Sequence, residues 1–224
     1  MASSVPARWA SRAILVALLA QPVALAAQRP HQHDPRKPHA DFTSSRPGTG
    51  EDTARALAVV QRLREAIAPY ADVKVAEAAG YRGHPGMEMQ TGRGLVHLGD
   101  PKHKQDQDSA FDPSRPQALL YRRVPGGELT LAGAMFTAPG SASAEELDAR
   151  VPLSVAMWHK HVNVCRPRRD AHRTVELRRA ATPEECEKAG GRFRSESPRY
   201  MVHVMTDAGD DLDRIFPQGR GRHW

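Results

Sequence analysis

The most chemically loaded stretch of this 224-residue chain is Trp158-His159-Lys160-His161-Val162-Asn163-Val164-Cys165. Read as a β-strand, it alternates its side chains between two faces. His159, His161, Asn163 and Cys165 then line one face, with Met157 below them; Trp158, Val162 and Val164 line the other, where Lys160 is the odd member. Imidazoles two residues apart on a strand stand about 7 Å from each other, close enough to converge on one metal ion. A metal ion needs three or four ligands. Histidines in other expected strands can supply them: His203 in Tyr200-Met201-Val202-His203-Val204-Met205, and His97 in Leu95-Val96-His97-Leu98. Each is a lone polar residue in an apolar run, and a buried imidazole costs free energy unless something satisfies its nitrogens. The candidate metal ligands are therefore His159, His161, His203 and His97. For a single strand histidine, ordinary hydrogen bonding is the plainer explanation. The His159/His161 pair is harder to explain by packing.

Imidazole suits several transition metals, so the candidate cofactor is a copper, zinc or iron ion. Met157, Met201 and Met205 fall on the expected histidine faces, and Met87 and Met89 lie in a loop. Thioethers favour Cu(I), although methionine also fills cores. An open coordination position would permit water activation or oxygen chemistry, as in a metal-dependent enzyme. No residue pattern assigns a reaction or a catalytic residue. One alternative is a periplasmic metal carrier or chaperone, most simply for copper. Another is a metal-free ligand-binding or structural module whose histidines hydrogen-bond in a polar pocket. The chain has two cysteines, Cys165 and Cys186. In an exported chain such a pair is most simply a disulfide; a Cys165 thiolate ligand or nucleophile is the rival. There is no Gly-x-Ser-x-Gly elbow, phosphate loop or His-Glu-x-x-His motif. The aspartates at 207, 210, 211 and 213 lack the full calcium-loop pattern.

The elements that must position these residues begin after an export signal. Residues 1–26 read as a signal peptide, with Arg8 and Arg12, the apolar run Ala13 to Ala20, and the small-x-small site Ala24-Leu25-Ala26. The uncharged stretch Ala13 to Ala27 has 15 residues, short of the roughly 20 that span a bilayer. The expected location is periplasmic or secreted, with no stable membrane span once the signal is cleaved; retention as an anchor is the alternative. Residues 27–50 read as a disordered tail rich in proline and histidine, including His31, His33 and His39. The net charge is +6, and its one basic run, Arg166 to Arg179, has no interleaved aromatic residue. That pattern argues against a nucleic-acid partner and leaves a metal ion or an unknown small molecule.

Residues 51–224 read as a single α+β domain. Leu57, Val60, Leu63 and Ile67 give Glu51 to Ala68 one apolar helical stripe. Ala71 to Ala79 predicts a second helix, and the two form an N-terminal helical hairpin. Ala118 to Val124 and Glu128 to Thr137 flank Pro125-Gly126-Gly127 as a β-hairpin, with Leu129, Leu131, Gly133 and Met135 on one face. A short helix fits Ser143 to Arg150, and Val151 to Cys165 reads as a long strand. Thr182-Pro183-Glu184-Glu185 opens another helix, closed by Gly190-Gly191. Arg199 to Met205 is a last strand. The expected architecture is the hairpin packed on an antiparallel sheet or partly open barrel.

Several ordered motifs, taken together, resemble an uncharacterised family of exported bacterial proteins with a Trp-His-x-His-x-Asn-x-Cys strand motif. They are Ala76-Glu77-Ala78-Ala79-Gly80-Tyr81, Leu95-Val96-His97, Asp112 to Tyr121, Trp158 to Cys165, Glu185-Cys186, Gly190-Gly191-Arg192-Phe193 and Met201-Val202-His203-Val204. The resemblance covers about residues 50 to 216 and implies export without implying an activity. Its members usually carry an acid where this chain has Gln117, so any role of that acid does not transfer.

Overall fold

The computed structural model describes residues 1, 40–83, 95–100, 110–168 and 174–217. Contacts divide the chain into Met1–Pro30, of which Met1 alone is described, and His31–Trp224, to which every described helix and strand belongs. The signal segment, His31, His33, His39, His84, Met87, Met89, His103, His172 and His223 lie outside the described residues.

The second unit is α+β. Its strands form an open antiparallel sheet. The strands are β1 (Ala40–Phe42), β2 (Arg82–Gly83), β3 (Leu95–Gly99), β4 (Ala118–Arg123), β5 (Leu129–Pro139), β6 (His159–Pro167), β7 (Gly191–Glu196) and β8 (Arg199–Met205). Their spatial order is β1-β6-β8-β5-β4-β3-β2, with β7 paired to β6 off that path.

Helix α1 (Gly50–Ile67) begins at a capping box between Thr49 and Asp52 and buries Ala56, Val60, Leu63 and Ile67. This stripe shares one core with Leu119, Tyr121, Ala134, Phe136, Val202 and Val204 of the sheet. Because directly opposed residues share a face, the pairings Leu119 with Ala134 and Phe136 with Val202 place these side chains on one side. Tyr121 marks the same side: its hydroxyl donates to the Tyr70 carbonyl at 2.6 Å, in the 3-10 turn Ala68–Ala71 that links α1 to α2 (Val73–Ala78). Helix α3 (Ala144–Arg150) starts at a Ser143–Glu146 capping box. Helix α5 (Pro183–Lys188) starts at the expected Thr182–Glu185 box, and α4 (Val175–Arg179) and α6 (Leu212–Ile215) are short. Among the described residues no helix is long and apolar enough to cross a membrane.

Four features depart from the sequence reading. Residues 40–50, which composition places in a disordered tail, belong to the folded unit. Ala40–Phe42 pairs with β6, and Thr43 exchanges hydrogen bonds with the Trp158 backbone. Arg46 then clamps Asp52 and Asp148 with four N–H···O contacts of 2.6–2.8 Å. This segment contributes backbone pairing and ion pairs rather than apolar area, so its composition carries little sign of order. Second, the expected strand Val151 to Cys165 starts only at His159, because Val151 to Trp158 is irregular.

Third, alternation along β6 does not survive to Cys165. Asn163 has φ of 52°, a left-handed conformation uncommon outside glycine. There β6 changes partners, leaving β1 and β8 for β7. Cys165 therefore faces a separate small core with Leu177, Ala180 and Cys186. Fourth, the register of β4 with β5 shifts between Leu120 and Tyr121. Leu131 sits opposite Tyr121 and Gly133 opposite Leu120, so Leu131 and Gly133 no longer share a face. Strand β7, with α4 and α6, was not anticipated from the sequence.

Candidate metal centre

The side of the sheet away from α1 carries the histidines. His97 pairs with Leu120, Leu120 with Gly133, and Gly133 with Met205, which places all four on one face. His203 is two residues from Met205 and joins it; His159 joins through its pairing with Met201. In a flat sheet His97 and His203 would stand about 14 Å apart, since β4 and β5 lie between their strands. Their Nε2 atoms are 3.3 Å apart. The sheet is therefore strongly curled, with the histidines on the inside of the curl.

Two local features permit that curl. The register shift at Leu120/Tyr121 is a bulge, which bends a strand and increases its twist. Gly133 sits where a Cβ would collide with the Val204 carbonyl oxygen and meet the Met205 Cα at 3.0 Å. Only the smallest residue lets β5 and β8 approach this closely on the inner side.

The rings form a chain of contacts. Centroids are 5.2 Å apart for His97–His203, 5.6 Å for His159–His203 and 5.5 Å for His159–His161. Phe42 from β1 covers His159 at 5.3 Å. His97, His159 and His203 are buried, with exposures of 5%, 5% and 8%, and His161 is half-buried. Thus the structure brings together all four histidines singled out in the sequence. Lys160, the odd member of the opposite face, is placed over the Tyr200 ring at 4.6 Å and near Glu196 at 3.4 Å.

Burial lowers the His97 pKa to about 4, helped by the neighbouring His161. Burial likewise takes His159 to about 3, with His161 and His97 adding to the shift. It carries His203 well below the usual imidazole value, with His97, His159 and His161 contributing. All three are neutral at pH 7, which is the form that binds a metal. The Nδ1 atoms of His97 and His159 are buried with no hydrogen-bond partner in the protein. Each such orphan costs about 1–3 kcal/mol unless something else satisfies it.

Metal–imidazole bonds of about 2.0–2.1 Å in a tetrahedral site set ligand nitrogens about 3.3 Å apart. The His97–His203 separation matches that edge. It also suits one N–H···N hydrogen bond, with roles set by tautomer. Among the described residues, no three His, Cys, Asp or Glu side chains already stand in ligating geometry. The pair thus offers two corners of a site, and a third bond would require His159 or His161 to turn toward them.

Cys165 is not among the candidate ligands. It forms a disulfide with Cys186, with an S–S distance of 1.99 Å. The small core around it admits no side chain at residue 191: a Cβ on Gly191 would collide with the Cys165 Sγ and Leu177 Cδ2. Strand alternation alone does not assign Met135 and Phe42 to the site; both enter through register, opposite His203 and His159 respectively. The groove between the Gly140 and Pro198 turns is lined by Glu196 and Arg199 and includes none of the histidines.

Fold and site together describe an α+β protein with an imidazole cluster inside a curled, open antiparallel sheet. Comparison with protein-family models, curated proteins and solved structures finds no match to this chain.

Proposed function

We propose that this is an exported protein holding a transition-metal ion on His97, His203 and His159, with His161 at the more open edge. The observation that carries the reading is the 3.3 Å approach of the His97 and His203 Nε2 atoms from strands that are not neighbours. The orphaned Nδ1 of His159 supports it, because that ring has to turn to join the pair and its Nδ1 then gains a partner in the ion. The resemblance to exported bacterial proteins and the Met1 to Ala26 signal pattern support the location. So does the Cys165–Cys186 disulfide, a bond that persists in oxidising compartments.

A four-coordinate ion on three imidazoles leaves a fourth position for a further side chain, water or substrate; with water or substrate there it has the arrangement of a metal-dependent enzyme. The burial of three ligands favours a resident ion over the freely exchanging one of a carrier. The test is elemental analysis of untagged protein purified from its native compartment, beside His97→Ala and His203→Ala. About one equivalent of metal in the wild type, lost in both variants, is the expected result. Metal-free wild type that also fails to bind added Zn(II) or Co(II) would overturn the reading in favour of hydrogen-bonded histidines in a metal-free pocket.

A further inference from the structure

The register of the curled sheet sets a methionine directly opposite each of two cluster histidines. Met135 on β5 is the Cα partner of His203, and Met201 on β8 is the partner of His159. Directly opposed residues share a face, with Cβ atoms about 4.5–5.5 Å apart. Each thioether is therefore rooted beside an imidazole on the inner face. Met205, buried and two residues from His203, belongs to the same face. The strands that carry the histidines, β3, β6 and β8, and the intervening β4 and β5 contain no aspartate or glutamate. The one thiol on them, Cys165, is consumed in the disulfide. Neutral imidazole, thioether and the Thr137 hydroxyl are thus the donors these strands place on this face; without a carboxylate the set disfavours Mg, Ca and Mn, and its sulfur members favour Cu(I).

Resting on the metal reading above, we propose that the ion is copper, bound as Cu(I), with a thioether from Met135 or Met201 taking the fourth position beside the imidazoles. Both methionines are partly buried, Met135 packing against the main core, so neither side chain is fully enclosed. Methionine, unbranched and with three rotatable bonds, can swing its sulfur toward an ion after the ion has engaged the imidazoles.

The test is anaerobic competition for Cu(I) against a chromophoric Cu(I) chelator, using the full exported protein. A parallel Co(II) titration reads the imidazoles alone. Met135→Leu/Met201→Leu is the informative variant, because leucine nearly conserves methionine volume and leaves the fold intact. The expected result is a Cu(I) affinity weakened by about tenfold or more in this variant, with Co(II) binding changed by less than about threefold. Loss of the sulfur shell from the copper X-ray absorption spectrum should accompany it. Unchanged Cu(I) affinity, or a copper site without sulfur, overturns the thioether proposal while histidine-dependent Co(II) binding keeps the metal centre. Failure of wild type to bind either ion overturns both.

Discussion

His97 and His203 meet at 3.3 Å, Nε2 to Nε2, although β4 and β5 separate their strands. Neither residue could reach the other from a flat sheet, so their contact measures the curl. The bulge at Leu120/Tyr121 and the close approach at Gly133 lie on the path between them. Both rings are buried and neutral, the state in which two imidazoles can approach this closely without charge repulsion.

Replacing His97 with leucine should change the stability of the metal-free protein by no more than about 1 kcal/mol, because removing its orphaned Nδ1 offsets the loss of its Nε2 contact with the buried His203. Wild type should gain about 2.7 kcal/mol at a metal concentration of 100 Kd. His97→Leu should gain almost none of that. Urea unfolding with and without added metal measures both quantities. An equal gain in the two proteins would remove His97 from the site.

Gly133→Ala should cost about 1–3 kcal/mol through overpacking against β8. The added methyl group meets the Val204 carbonyl, a backbone atom that can move only with its strand. Metal retention should fall with stability, because the same displacement opens the His97–His203 contact. A variant with wild-type unfolding and metal content would show that the curl does not depend on this close approach.

Removing the disulfide by Cys165→Ser/Cys186→Ser should cost about 3 kcal/mol in the loop-entropy account, for a sequence separation of 21. Hydrogen exchange should locate the loss in α4, α5 and β7, which surround the small core. Protection in α1, β5 and β8 should persist, and so should metal binding. Loss of metal in this variant would mean that the disulfide also holds the first half of β6 in place.

Acid should weaken the clamp around Arg46. Hydrogen bonds from Arg46 hold the Asp52 and Asp148 carboxyls below their ordinary value near 3.8. A carboxyl with a lowered folded pKa adds stability that is present above the unfolded value and lost as pH falls toward the folded one. The contribution of this clamp should therefore decline as pH drops below about 4. Arg46→Gln should be less stable at pH 7 and should flatten that part of the pH profile. Thermal unfolding from pH 7 to pH 2 tests this, and parallel profiles for the two proteins would refute it.

Features governed by neighbouring residues were legible in the sequence. The α1 stripe, the Thr182–Glu185 capping box, the turn at Pro125-Gly126-Gly127 and the two faces of β8 all follow from local periodicity, caps and turn chemistry. The same alternation placed His203 with Met201 and Met205, and His159 with His161. Tertiary structure decided what those faces meet. Two backbone irregularities, the bulge beside Leu120 and the left-handed Asn163, redirect strands in ways that a period of two cannot encode. One curls the sheet until His97 reaches His203; the other sends Cys165 to a different core. Strand β1 became ordered by borrowing hydrogen bonds from β6, and long-range pairing of that kind leaves almost no trace in the composition of the segment that receives it.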